Sequence, residues 1–361
     1  MLEYVRKRNG TIEKADASKI NLWVTNLSKD LEDRLEWSKV LMEVVKESPS
    51  EMSSQDLQLA ISKKFVAKKD WPGVLMGGRF YAIWHWKNLF GDKIPTVKEH
   101  HKQMVALGLM EDMGYTDEDY EQIEKIIDHN RDLTMAQFQL KQVIYKYGLV
   151  NRLTNDQKET PQFTYMRMAC ALAKFEPEGS KIETVKEYYD AFSQFKINAP
   201  TPNFTNLGTP HRGYASCCLI TASDTAASLA AADHAAYVMT YMSAGIGRYL
   251  EVRSEGDPIR NGQIVHKGKM PYFNAGAGAV HANMQGGRGG SDTEYVSVFD
   301  PEIKTIIMAQ NPLTPIKKQQ REIHFAISYN SFFTYKAGKK EDIFTFNCFT
   351  APDLQAAFFD K

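Results

Sequence analysis

Arg212-Gly213-Tyr214-Ala215-Ser216-Cys217-Cys218-Leu219-Ile220 is the stretch on which the reading of this chain turns. A run of small residues delivers a cysteine into the start of an apolar segment. From Pro200 onward glycine becomes frequent, and strand-like runs stand at 217–221, 248–252 and 323–329. Between the first two lies 224–242, rich in alanine and helix-forming. Strands alternating with helices predict an α/β architecture for residues 200–361. The last residues, 352–361, read as a helix.

Upstream the pattern differs. Residues 1–90 read as one small domain of mixed α+β character. Tyr4-Val5-Arg6-Lys7-Arg8 and Thr11-Ile12-Glu13-Lys14 flank Asn9-Gly10, a pair that predicts a hairpin closed by a type I′ turn. Asp16 or Ser18 is placed to cap a helix running from Lys19. Further helices fit 31–47 and 54–68. Trp71-Pro72 interrupts, and a last helix carries Tyr81-Ala82-Ile83-Trp84-His85-Trp86. Residues 91–199 read as almost wholly helical, with segments opening at Pro95, 116–129, 134–147, 160–175 and 181–194.

Composition excludes several classes. Among 361 residues, 44 basic and 44 acidic side chains cancel, so no bulk field favours nucleic acid or a membrane surface. No apolar run reaches membrane-spanning length, and Met1-Leu2-Glu3-Tyr4-Val5-Arg6 is no signal peptide. Four cysteines (Cys170, Cys217, Cys218, Cys348) form no C-x-x-C, which points to a reducing, cytoplasmic setting. Adjacent His100 and His101 would point about 100° apart on a helix, so they do not chelate one metal; the expectation is two surface residues and no metal site.

Cys217 has two readings from its own neighbourhood, a buried structural thiol or a redox thiol that needs a second cysteine to resolve it. Cys218 reads as core filler or as a competing thiol. Gln285-Gly286-Gly287-Arg288-Gly289-Gly290 is no P-loop, since no Gly-Lys-Ser/Thr follows; by composition it reads as a flexible surface loop.

The order Thr201-Pro202, then Ser216-Cys217-Cys218-Leu219-Ile220, then Ala244-Gly245-Ile246-Gly247 closely resembles the large, catalytic subunit of class I ribonucleotide reductases. The resemblance implies that Cys217 donates a reducing equivalent to the ribose and becomes part of a disulfide. It places Thr201, Ser216, Ala244 and Gly245 at the substrate diphosphate and ribose. It assigns Asp224, Arg253, Ile259, Gln285 and Arg288 to an allosteric specificity site; by its own position Asp224, where Ser223-Asp224 opens a helix, also reads as a capping carboxylate. Cys170 and Cys348 match no catalytic position, and Cys218 stands where an aliphatic residue is usual.

Residues 1–90 resemble an ATP-cone, the overall activity regulator of such enzymes. That likeness puts Lys7, Arg8 and Lys19 toward triphosphate and Glu13 and Asp16 near base or ribose. Ser54 and Lys87 complete the set, and Gln58 stands where histidine is common. Residues 91–199 would then be the helical domain and 200–361 the first half of a ten-stranded α/β barrel.

No Asn-x-Cys-x-Glu is present. The reading is therefore of a split or truncated large subunit, inactive without a complementing chain that carries the thiyl-radical cysteine. The same resemblance implies ATP, dATP and deoxynucleoside triphosphate effectors with Mg2+, and no metal held by the chain itself. It implies a radical from a di-iron (or related) small (beta) subunit and re-reduction by glutaredoxin or thioredoxin. It also implies self-association through helix 224–242, in the cytoplasm of the cell or of a viral host. The competing function is a non-catalytic nucleotide-binding regulatory or dimerisation module.

Overall fold

The structure is a computed structural model that describes residues 1–31, 34–151, 153–283 and 290–347. The chain forms two compact units, 1–212 and 213–361.

The first unit opens with β1 (Tyr4–Arg6) and β2 (Ile12–Lys14) in an antiparallel hairpin, and β3 (Glu51–Ser53) pairs with β1 in parallel. The hairpin is as expected, but its turn is not type I′. Only Gly10 has a positive φ, 85°, and its N–H donates to the Lys7 carbonyl while the Lys7 N–H donates to Thr11. The Asn9 side chain accepts from the Thr11 N–H at 3.1 Å, which holds Asn9 at negative φ and leaves the left-handed residue to glycine alone.

Four helices follow: α1 (Ala17–Ser28, capped by Asp16), α2 (Ser38–Glu47), α3 (Ser54–Ala67) and α4 (Trp71–Phe90). The helix expected from residue 31 begins only at Ser38, because the chain first closes a tight turn from Ser28 to Leu31. Val24, Ile61, Phe65, Met76 and Phe80 form one core there. From Tyr81 onward α4 belongs to a second core, with Val97, Ile123, Phe163 and Tyr189. One 20-residue helix thus serves two hydrophobic clusters.

That second core is built by α5 (Val97–Ala106), α6 (Asp117–Glu124), α7 (Gln137–Gln142), α8 (Pro161–Ala173), α9 (Glu178–Ser193) and the short α10 (Thr201–Asn206). A small hairpin, β4 (Val150–Asn151) with β5 (Asp156–Gln157), precedes α8. His100 and His101 are not on the surface as expected; both are buried on α5. His100 stacks on Phe163 at 4.1 Å between centroids, and His101 meets Tyr120 edge-on. Burial pushes the His101 imidazole down to about 3, so both rings pack as neutral aromatics.

Helix α8 is buried nearly all round, which is why it reads as apolar on every face. Its one charge, Arg167, is wholly buried against Glu159 at 2.9 Å. The guanidinium also donates to the carbonyls of Phe204 and Leu207, while Glu159 accepts from the Leu149 N–H and the Thr164 hydroxyl. Every nitrogen of the guanidinium and both carboxylate oxygens have a partner, which is what such a pair needs to offset its desolvation.

The second unit carries a parallel sheet: β6 (Cys217–Ser223), β7 (Gly245–Glu251), β10 (Asp292–Ser297) and β11 (His324–Ser328), in that spatial order. A small hairpin, β8 (Pro258–Ile259) with β9 (Ile264–Val265), lies between β7 and the next helix. The crossovers are α11 (Ala226–Tyr241), α12 (Met270–Ala282) and α13 (Ile303–Ala309); α14 (Ser331–Gly338) follows β11. Sequential strands lie side by side and the crossover helices pack on one face of the sheet, through Ala236, Phe273, Val280 and Ile306.

Four parallel strands stand among the described residues, where half of a ten-stranded barrel would hold five. Strand β10 escaped the sequence reading, because Asp292-Thr293-Glu294-Tyr295 lacks an apolar run. The helix expected at 352–361 lies outside the described residues. No helix among the described residues is long and apolar enough to cross a membrane.

Because Glu159 and Arg167 satisfy one another so fully, Arg167→Met should cost about 3–5 kcal/mol of stability by stranding a buried carboxylate. The double change with Glu159→Gln should recover part of that loss, as read by urea unfolding.

Candidate functional site

Strand β6 sets the chemistry of the second unit. Side chains on a strand alternate between faces. Cys218, Ile220 and Ala222 therefore turn toward α11 and α12, where Cys218 packs with Ala236, Ile246 and Val280. Cys217, Leu219 and Thr221 turn to the other face, on which no crossover helix packs. Cys217 is exposed, and Leu219 is 78% exposed. The two adjacent cysteines thus separate into a packed thiol and a presented one.

Register completes the open face. Cys217 pairs with Gly245, Leu219 with Gly247, and Gly247 with Thr293. The Ser216 hydroxyl lies 3.7 Å from the Cys217 sulfur, and the Gly245 N–H donates to the Ser216 carbonyl at 2.8 Å. Ser216, Cys217 and Gly245 therefore meet at the N-terminal end of β6 and β7, with a glycine beside the thiol and the Ser216 hydroxyl within reach. Ala244, just before β7, is 3% exposed. Gly245-Ile246-Gly247 lies inside a strand rather than in a turn. Thr201, at the first position of α10, belongs to the other compact unit.

At the opposite ends of β6 and β7 a second group assembles. Asp224 follows β6 and Arg253 lies just past β7; the Arg253 Nε donates to the Asp224 carboxylate, and Arg253 Nη1 donates to the Pro258 carbonyl at 3.1 Å. Ile259 is the next residue of that segment. Asp224 does not cap α11, as its position suggested: Thr225 is the cap, accepting from the Ser228 N–H, and Asp224 is left to the arginine. Gln285 and Arg288 lie outside the described residues.

In the first unit the basic hairpin and its surroundings converge. Glu13 on β2 receives Lys19 at 3.0 Å and Lys7 at 3.5 Å. The Lys19 hydrogen bond, aided by the charges of Lys19 and Lys7, holds the Glu13 carboxyl below its usual range. Asp16 caps α1 three residues before Lys19. Arg8, at the hairpin tip, donates to Asn88 Oδ1 at 2.8 Å, which brings the tip beside Lys87. Ser54 starts α3 directly after β3, the strand that pairs with β1, and Gln58 is buried with its amide on the Phe80 carbonyl at 2.9 Å.

A fourth group went unseen in the sequence. Arg248 on β7 is fully buried beneath the sheet with Asp233, Asp292 and Glu294. Its sequence signal was weak, because one arginine inside an apolar strand has no visible partner until the register is known. No group of three metal-ligating side chains stands among the described residues.

Family models place this geometry. Residues 137–212 match the all-alpha domain of ribonucleotide reductase, and residues 215–360 match its barrel domain. The chain is 33% identical over 287 residues to ribonucleoside-diphosphate reductase 1 subunit alpha of Escherichia coli, covering 77% of this chain and 38% of that protein. It is 30% identical over 366 residues to the subunit alpha of Buchnera aphidicola from Schizaphis graminum, covering 99% of this chain and 48% of the other. A third relative, the subunit alpha of Enterobacteria phage T4, is 30% identical over 237 residues, 64% of this chain and 31% of the phage protein. The chain spans less than half the length of these relatives.

If β6 alternates as described, Cys217→Ala should change stability by less than about 0.5 kcal/mol, as an exposed substitution does. Cys218→Asp, which puts a charge against Ala236, Ile246 and Val280, should cost at least about 3 kcal/mol. Thermal unfolding of the two variants checks the facing directly.

Proposed function

Given that the chain belongs to the large (alpha) subunit family of class I ribonucleotide reductases, we propose that it supplies the first redox cysteine of a ribonucleoside-diphosphate reductase. Such an enzyme is an oxidoreductase that makes 2′-deoxyribonucleotides by radical chemistry. The observation that carries the proposal is Cys217, presented on the open face of β6 beside Ser216 and Gly245.

The overall reaction balances on two thiols. The ribose 2′ C–O bond breaks, a 2′ C–H bond forms in its place, and the oxygen leaves as water. Two thiols supply two electrons and two protons and join as a disulfide. Cys217 is one of these thiols. Cys170 is fully buried, and burial pushes its thiol up, so it serves as packing. No cysteine in the chain stands in Asn-x-Cys-x-Glu. The radical-bearing cysteine and the second redox thiol are therefore assigned to sequence outside these 361 residues. Thr201, Ser216, Ala244 and Gly245 hold the substrate's diphosphate and ribose.

Regulation and assembly follow the same reading. Residues 1–90 serve as an ATP-cone, with Lys7, Arg8 and Lys19 for the triphosphate, Glu13 and Asp16 for base or ribose, and Ser54 and Lys87 at its border. Residues 91–199 are the helical domain and 200–361 the first part of the catalytic barrel. Asp224, Arg253, Ile259, Gln285 and Arg288 form the specificity site for a deoxynucleoside triphosphate with Mg2+. Helix α11 carries exposed Tyr237, Val238 and Tyr241, an apolar strip for a second copy of the chain. A di-iron (or related) small subunit supplies the radical, and thioredoxin or glutaredoxin restores the dithiol, in the cytoplasm.

Two measurements test this. In an assembly that contains the remaining alpha-subunit machinery and the small subunit, Cys217→Ser should abolish deoxyribonucleotide formation while Cys218→Ser keeps most of it; the reverse pattern contradicts the assignment. The 361-residue polypeptide on its own should form no product. For the specificity site, Asp224→Ala combined with Arg253→Ala should weaken dTTP binding by at least about 1.5–3 kcal/mol, the worth of one charge-assisted contact. Unchanged affinity by calorimetry would remove both residues from the site.

A further inference from the structure

Beneath the sheet, Arg248 joins four elements at once. From β7 its guanidinium reaches Asp233 on α11 at 2.7 Å, Glu294 and Asp292 on β10, the latter at 3.5 Å, and the Tyr272 carbonyl on α12 at 3.3 Å. Space for it comes from Gly276 on α12, where any Cβ would overlap the guanidinium. Arg248 and Glu294 are also direct register partners. Arg248, Asp292 and Glu294 are each 1% exposed or less.

The charges do not balance. One cation faces three carboxyls, and Asp233, the most exposed, already takes the closest contact given for Nη1. Among the described residues, both oxygens of Asp292 and one of Glu294 lack a hydrogen-bond partner. Two buried carboxylates against one shared guanidinium leave a net negative charge in a dry seam, a cost that a bound proton removes. The surroundings offer no further cation from β11, which sets Phe325 opposite Glu294; α12 contributes only His281, which is charged only if protonated. The Glu159–Arg167 pair in the other unit shows the contrast, one acid per base with every atom used.

We propose that Asp292 and Glu294 share a proton around Arg248, and that this proton fastens α11 and α12 to the sheet, so that its loss loosens the helix layer. The latch is independent of the reductase reading. Burial, with the Asp292 charge adding to it and Arg248 opposing it, pushes the Glu294 carboxyl up to about 8, and Asp292 is raised by burial as well. The sign follows from linkage. A carboxyl raised in the folded state holds its proton while the unfolded chain has lost it. Stability from this group is full below the unfolded value, falls as pH rises from about 4.5 to about 8, and levels off above.

The test compares thermal unfolding of the wild type and Glu294→Gln, in which the amide stands in for the protonated acid, from pH 5 to 9. The variant's Tm should gain on the wild type by about 2–4 °C per pH unit up to about pH 8 and then hold constant. Asp292→Asn is measured alongside, since the proton is shared; infrared spectra of the wild type provide a readout that does not depend on either variant folding. Those spectra should show a protonated-carboxyl stretch at pH 6 that fades by pH 9. Parallel unfolding curves for both variants, or a wild type without that stretch at pH 6, would overturn the latch.

Discussion

The two-residue period of β6, locked by its parallel register with β7, is the constraint on which the site depends. Seven consecutive residue pairs, from Cys217 with Gly245 to Ser223 with Glu251, fix which side chains face the helices. A slip of one residue would bury Cys217 and present Cys218. It would also put Leu219 and Thr221 under α11 and lift Ile220 and Ala222 out of the core. Packing therefore protects the register, and the register places the thiol. A structural requirement and a chemical one are met by the same hydrogen bonds.

The Glu159 and Arg248 clusters handle buried charge in opposite ways. Glu159 and Arg167 are matched one to one and saturated by backbone and hydroxyl partners, a fixed joint between α8 and the segments around it. Around Arg248 the acids outnumber the base, and several oxygens have no partner. The first arrangement is insensitive to pH near neutrality, because its acid is held below the usual range by Arg167 and several donors that outweigh desolvation. The second is where the proposed sensitivity arises, because among the described residues no second permanent cation reaches it. Gly276 shows that the cluster is built into the fold, since α12 gives up a side chain to admit the guanidinium.

Much of this was legible in the residues alone. Asn9-Gly10 announced the hairpin, Asp16 the cap of α1, Thr160-Pro161 the start of α8, and the run from Cys217 the first strand of the sheet. The order of Thr201-Pro202, Ser216-Cys217 and Ala244-Gly245-Ile246-Gly247 carried the family. What stayed hidden depended on partners far away in sequence. Strand β10 is polar on one face because Asp292 and Glu294 answer Arg248, about 45 residues earlier, and no local pattern reveals that. His100 and His101 looked like surface residues because histidine is amphipathic; Phe163 and Tyr120, brought in by α8 and α6, make them core. Asp224 looked like a cap because caps are local, whereas its partner Arg253 becomes a neighbour only once β6 and β7 pair.

Thiol reactivity tests the central claim most directly. The folded chain is treated briefly with iodoacetamide at a fixed pH, and the alkylated peptides are quantified by mass spectrometry. Presentation of Cys217 on the open face predicts that it is modified first, with Cys218 slower and Cys170 unmodified until the chain is unfolded. Modification of Cys218 ahead of Cys217 in the folded protein would contradict the register of β6 and, with it, the placement of the redox thiol.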